Sequence, residues 1–228
     1  MSGRRVALVS GGNRGIGAAI VRALTEHGWD VSVGMRRPRP LPDVAQVHAY
    51  DAMDRASEAA WVAAAVERFG RIDAIVANAG IMIPKTVIEA EDDDLDALFE
   101  VNVKSPLRLI RAAWPQLVAC GRGRVATIVS LSGRRVKTPR SGLYSVSKFA
   151  ALALTHAVRQ SGWDEGVRAV AVCPGFVVSD MSAAVTDRAP ESMTQPDDLA
   201  RIVAFVLDLP NTASIATLPI NSTLEESL

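Results

Sequence analysis

The feature that most limits the fold of this 228-residue chain is an alternation of two kinds of segment. Short, nearly all-apolar, β-branched runs lie at 6–10, 30–34, 47–50, 74–77, 125–130, 167–173 and 216–220. Longer Ala/Leu/Arg-rich stretches with helical periodicity separate most of them, at 16–27, 57–69, 95–119, 143–163 and 196–207. Strands apolar along their whole length suit a sheet covered on both faces, and strand alternating with helix implies parallel pairing through crossovers. The expected fold is therefore α/β: a doubly wound, mainly parallel seven-stranded sheet with helices on both faces, forming one domain over 1–228. The most irregular stretch, Arg36-Arg37-Pro38-Arg39-Pro40-Leu41-Pro42, reads as a loop after the second strand, because the alternation continues beyond it. No repeat or low-complexity linker interrupts the pattern.

Composition narrows the function classes. Lys+Arg and Asp+Glu both number 25, so the formal charge is zero, and no basic run with interleaved aromatics gives a nucleic-acid footprint. The longest acidic run, Glu91-Asp92-Asp93-Asp94, reads as negative charge at a helix N-terminus. No apolar run approaches the roughly 18 residues that span a bilayer, so no membrane partner is expected. The chain enters a strand pattern almost at once, so no signal peptide is expected. Two cysteines far apart and three histidines without ligand spacing point to a reducing, cytoplasmic setting and no metal.

Between the first strand and the first helix lies Ser10-Gly11-Gly12-Asn13-Arg14-Gly15-Ile16-Gly17. The spacing fits neither G-x-x-x-x-G-K-[ST] nor G-x-G-x-x-G. Its position still puts backbone N–H groups and a helix N-terminus where a pyrophosphate can sit, beyond the carboxyl ends of the strands. Glycine permits positive φ and close backbone approach there. An ordinary strand–helix turn would also use glycine, so this motif alone does not decide.

Further motifs do. "SGGNRGIG" resembles the T-G-x-x-x-G-x-G loop of the classical short-chain dehydrogenase/reductase family, with Ser10 where Thr is usual. Asn78-Ala79-Gly80 resembles that family's N-A-G after the fourth strand, Tyr144-Ser145-Val146-Ser147-Lys148 its Y-x-x-x-K, and Pro174-Gly175 its P-G after the sixth. The motifs occur in family order across about 6–220. The resemblance implies a Rossmann-like fold and a nicotinamide cofactor held by Gly11, Asn13, Arg14, Gly15, Ile16, Gly17, Asn78, Ala79, Gly80, Pro174 and Gly175. It adds Asp51 near the adenine amino group, the backbone of Val177, and the hydroxyl of Ser179 near the nicotinamide carboxamide.

Tyr144 and Lys148 lie one turn apart, on one face of a helix. A phenol with its ordinary pKa of about 10 is a poor base at neutral pH. A nearby ammonium and a positive nicotinamide ring would lower that value. Tyr144 would then exchange a proton with a carbonyl or alcohol oxygen, and the resemblance has Lys148 also hold the nicotinamide ribose. The family's serine would fall at Leu131 by its usual distance from the tyrosine. Alignment through the strand favours Ser130, with one extra loop residue, and Ser132 as the alternative. Asn102 stands where the family has a helix-interrupting Asn whose main chain holds a relay water, and the resemblance implies that role here; the alternative is an exposed Asn with none.

An acid at the end of the second strand would accept bonds from the adenosine ribose and repel a 2′-phosphate. Gly34 and Met35 stand there, followed by Arg36 and Arg37, with Arg14 in the glycine loop. Arginine forks suit phosphate. NADP(H) is therefore expected over NAD(H), with Arg14 and Arg36 at the phosphate and Arg37 and Arg39 solvated. Asp54 is expected to cap the next helix.

The segment near 180–196 is expected to cover the substrate. It shows no charged cluster, which suits small, apolar carbonyl compounds, while Lys137 and Arg140 offer a wall that would meet an anion. The helices at 95–119 and 143–163 correspond to family dimer and tetramer contacts, and Pro115 suggests a kink in the first. The C-terminal "TLPINSTLEESL" lacks the family's last glycine-containing segment, which leaves homodimer or homotetramer open. The activity implied is an NADP(H)-dependent carbonyl reductase or alcohol dehydrogenase. A non-catalytic dinucleotide sensor or scaffold, or a C=C or C=N reductase, remains open, because fold does not fix function.

Overall fold

The computed structural model describes residues 3–224. Seven strands run in the order β1 (Val6–Ser10), β2 (Asp30–Met35), β3 (Gln46–Ala49), β4 (Ala74–Ala77), β5 (Arg124–Ile128), β6 (Arg168–Pro174) and β7 (Thr217–Ile220) along the chain. They form one sheet ordered β3-β2-β1-β4-β5-β6-β7, and every pairing is parallel. The order reverses between β1 and β4, which opens a crevice beyond their carboxyl ends.

Seven helices cover the sheet: α1 (Gly15–Glu26), α2 (Ser57–Phe69), α3 (Asp92–Phe99), α4 (Ser105–Ala119), α5 (Gly142–Ser161), the short α6 (Asp180–Ala183) and α7 (Pro196–Asp208). The period-2 geometry of the strands divides their side chains between two layers. Ala7, Val9, Val31, Val33, Val76 and Val172 pack with Ile20 and Leu24 of α1 and Leu199, Val203 and Leu207 of α7. Val6, Leu8, Ile75, Val125 and Ala169 pack on the other face with Trp61 of α2, Leu109 and Leu117 of α4, and Val158 of α5. Burying one such Leu, Ile or Val side chain contributes about 1.5–3 kcal/mol. No helix among the described residues is long and apolar enough to cross a membrane.

The expected helix 95–119 is divided. A π-helical turn at Glu100–Lys104 separates α3 from α4, and the Ser105 N–H bonds the Glu100 carbonyl five residues back. The helix also begins earlier, at Asp92, because Asp94 accepts a hydrogen bond from the Glu91 N–H at 3.0 Å. Helix α4 continues through Pro115 to Ala119. Strand β5 ends at Ile128 rather than 130. There the Ser130 hydroxyl takes the Ser132 N–H at 3.0 Å and turns the chain into a 3-10 turn, Leu131–Gly133. Asp54 takes the Ala56 N–H at 3.0 Å, so it caps the turn leading into α2 rather than the helix itself. The short helix α6 lies in the segment expected to cover the substrate, and residues 225–228 of the C-terminal stretch lie outside the described residues.

The glycine loop is built by close approach. Gly11 and Gly15 have φ of +67° and +53°, a region that disfavours side chains. A Cβ on Gly17 would lie 2.3 Å from the Gly11 carbonyl oxygen and 2.5 Å from Asn78 Nδ2. Gly17→Ala is therefore expected to lower stability by about 1–3 kcal/mol. Denaturant unfolding checks this, and an unchanged midpoint would show that the loop has room to relax.

Candidate active site

One cleft of about 1660 Å³ runs along the carboxyl edge of the sheet. Every cofactor residue expected from sequence lines it, as do Tyr144, Lys148, Ser130 and Ser132. Asn102 lies beneath the cleft wall, buried at 2% exposure, so it is not a surface asparagine.

The end of β1 and the end of β4 are tied together. Ser10 Oγ accepts the N–H groups of Asn78 and Ala79, both at 3.0 Å. The Asn78 side-chain amide donates to the carbonyls of Ser10 at 2.9 Å and Gly11 at 3.2 Å. This fixes the glycine loop against the floor of the cleft. Helix α1 then starts with no side-chain cap at Arg14 and no acid in its first turn. Its first N–H groups thus keep their capacity for an anion, and a Cβ on Gly15 would meet nothing nearer than Ser179 Cβ at 3.7 Å. The donor set fits a dinucleotide pyrophosphate.

Around Tyr144 the sequence folds locally for a different reason. The π turn directs Asn102 into the protein, where its Oδ1 accepts from the Ile81 N–H at 2.9 Å and its Nδ2 donates to the Ile81 carbonyl at 3.0 Å. Nδ2 also donates to Ser147 Oγ at 3.0 Å, and Ser147 Oγ donates to the Tyr144 carbonyl at 2.7 Å. Asn102 thereby joins the loop after β4 to the helix carrying Tyr144 and Lys148. Lys148 Nζ donates to the Ile128 carbonyl at 2.9 Å and lies 5.6 Å from the Tyr144 ring centroid.

Ser130 stands beside Tyr144 and lowers its phenol pKa, a role Ser132 does not share; the Ser130 hydroxyl itself donates to the Pro174 carbonyl at 3.5 Å and accepts the Ser132 N–H at 3.0 Å. Burial pushes the Tyr144 phenol up to about 12, and the neighbouring Ser130 hydroxyl offsets part of that rise. The lowering expected from Lys148 is not found: burial and Ser130 are the causes of the Tyr144 shift. Burial also brings the Lys148 ammonium down to about 8. Tyr144 is thus a protonated phenol at neutral pH, suited to giving a proton away.

Other expected residues have their own partners. The Arg14 guanidinium pairs with Asp180 of α6 at 2.5 Å, so engaging a ribose phosphate requires exchanging that carboxylate. Ser179 caps α6 by accepting the Ser182 N–H at 3.2 Å, and its hydroxyl donates to the Val177 carbonyl at 3.2 Å. The segment around Val177 is held by a backbone bond from the Val178 N–H to the Thr194 carbonyl at 3.1 Å. Asp51 accepts the Met53 N–H at 3.0 Å. Arg36 lines the cleft, and so does Arg37, which sequence reasoning left solvated.

Sequence reasoning missed Arg188 and Asn221, which line the cleft together with Phe176 of the segment after Pro174-Gly175. A Cβ on Gly175 would sit 2.4 Å from Asn221 Oδ1, so the segment after β7 closes on the P-G turn. The signal was available for Asn221, because it directly follows a strand, and ends of parallel strands share one edge.

Lys148 generates a pH-dependent prediction. Its value in the folded protein, about 8, lies below the ordinary 10.5. The unfolded chain therefore binds the extra proton between those values, and folding stability rises with pH through that window. Relative to Lys148→Met, the wild-type protein is expected to gain on the order of 3 kcal/mol between pH 8 and 10.5. Urea titrations of both proteins across that range measure it. A pH-independent difference would contradict the burial of the charged group.

Comparison with known proteins places the chain. The short chain dehydrogenase family model matches residues 5–190. Over 218 residues the chain is 40% identical to an agropine synthesis reductase from Rhizobium rhizogenes, covering 92% of this chain but 50% of that protein. The chain thus spans half the length of that relative. An alcohol dehydrogenase from Thermococcus sibiricus, solved with 5-hydroxy-NADP, superposes with a TM-score of 0.86 at 27% identity, covering 99% of each chain. A short chain dehydrogenase from Burkholderia cenocepacia, solved with NADP, gives a TM-score of 0.85 at 29% identity over 97% of each. With its ordered motifs, parallel sheet and matching family model, this chain belongs to the classical short-chain dehydrogenase/reductase family.

Proposed function

We propose that the chain is an NADP(H)-dependent oxidoreductase that interconverts a small carbonyl compound and an alcohol. The observation that carries this reading is that Tyr144, Lys148 and Ser130 line the same cleft as the glycine loop. The nicotinamide cofactor, when bound, supplies or accepts the hydride. The chain's residues manage the oxygen. Ser130 orients the substrate oxygen and Tyr144 donates its proton to it during reduction. In the reverse direction Tyr144 accepts the proton, which requires more positive charge nearby than the protein alone provides.

Lys148 holds the ribose and stabilises the phenolate left after proton transfer. Asn102 positions both through Ile81 and Ser147, and its main chain serves the proton relay to solvent. The named relatives include a reductase and an alcohol dehydrogenase, which suits one reaction read in two directions. NADP(H) is preferred because Arg14, Arg36 and Arg37 line the cleft where β2 ends without an acid. The exposed Val146 and Phe149 of α5 support self-association into a dimer or tetramer. The setting proposed is the cytoplasm.

Tyr144→Phe is expected to lower turnover by about 10²–10⁴-fold, the usual worth of a positioned acid, while changing cofactor affinity little. Retained turnover would remove Tyr144 from the chemistry. Titration with NADPH and NADH should show tighter binding of NADPH. Arg36→Ala should erode that preference by about 1.5–3 kcal/mol, the worth of a charged hydrogen bond. Equal affinities for the two nucleotides in the wild type would refute the arginine assignment.

A further inference from the structure

The lining of the cleft that holds Tyr144 carries an uneven charge. Arg135, Lys137 and Arg140 line it from the segment after β5, and Arg188 lines it from the segment beyond α6. Of the acids in that lining, Asp187 directly precedes Arg188 in the chain, while Asp180 is engaged by Arg14. The chain as a whole has formal charge zero, so this excess is local and not a consequence of overall composition.

Two of these cations are held at the wall by specific contacts. Arg140 Nε donates to the Pro84 carbonyl at 3.1 Å, and Pro84 also lines the cleft. The Arg188 guanidinium lies over the Phe176 ring, 5.2 Å from its centroid, and Phe176 lines the cleft after the P-G turn. Contacts of this kind cost a side chain its freedom to swing into solvent and keep its charge at the site. Cations gathered in the lining of one cleft focus their field into it and concentrate anions there. The apolar Met82, Phe176 and Met181 on the same surface suit a short hydrocarbon stem.

We propose that the carbonyl substrate carries an anionic group, a carboxylate or a phosphate, received by Lys137, Arg140 and Arg188 while its carbonyl oxygen meets Tyr144. This rests on the reading of Tyr144 as the proton donor and adds the substrate's charge to it. It replaces the expectation of an apolar substrate drawn from residues 180–196 alone. That expectation missed Arg188 as a cleft residue, and it treated the segment after β5 separately.

Matched pairs of substrates test it, with the purified protein and NADPH. 4-Oxopentanoate is compared with its methyl ester, and dihydroxyacetone phosphate with dihydroxyacetone. At least one anionic member should exceed its neutral partner in kcat/KM by about tenfold or more, and the pair that does so identifies carboxylate or phosphate. The anion-to-neutral ratio should fall several-fold in Lys137→Gln and in Arg188→Gln, mainly through KM, and should fall as salt is raised. Neutral members reduced as well as or better than the anions, or a ratio untouched by both substitutions, overturns the anionic assignment and leaves the reductase reading intact. Absence of NADPH oxidation with all four compounds counts against both.

Discussion

The carboxyl edge of the sheet depends on the hydrogen bonds between Asn78 and the end of β1. Parallel strands leave their terminal carbonyls and N–H groups at this edge, and buried groups of that kind must find partners. Here the side chain of Asn78 takes two carbonyls of the glycine loop, and Ser10 returns the favour by accepting two N–H groups from the loop after β4. The loop is thereby held in a conformation that brings Gly17 against it, and α1 starts in the crevice with its N-terminus uncapped by any side chain. Without that junction, the anion-binding end would have no fixed position against the end of β4.

The far end of the cleft uses burial in the opposite sense. Tyr144 and Lys148 are nearly inaccessible, and desolvation opposes the charged form of each. Burial therefore separates the two groups in proton affinity: the phenol keeps its proton and the ammonium holds its own less firmly. Groups whose environments push their proton affinities in opposite directions suit the proton transfer proposed for this site. Asn102 and Ser147 tie the backbone around the pair with hydrogen bonds that do not titrate.

Much of the sheet was legible because doubly covered strands are apolar along their length, and Val6-Ala7-Leu8-Val9 has no polar face to mislead. Strand ends were less legible where a side chain rather than a pattern decides them, as Ser130 does after β5. The division of the helix at 95–119 left no mark in its periodicity; only the family resemblance at Asn102 pointed to an interruption, because its partners at Ile81 and Ser147 are remote in the chain. The same holds for Arg188 and Asn221. Local sequence places a residue on a segment, whereas only the assembled sheet edge determines which segments face one cleft.

The π turn at Glu100–Lys104 has an effect on how this stretch of chain can vary. Each residue in an α-helix advances the direction of its side chain by about 100°, so the wider turn resets the phase of everything after it. Before it, Leu98 packs with Leu143 and Tyr144, and after it Leu109, Ala113 and Leu117 pack on the sheet. One continuous α-helix could not serve both surfaces with these residues. Deleting a single residue here would restore helical regularity and rotate one of the two apolar stripes into water. Point substitutions that keep Asn102 preserve the phase, so the stretch is open to changes of spelling but closed to changes of length.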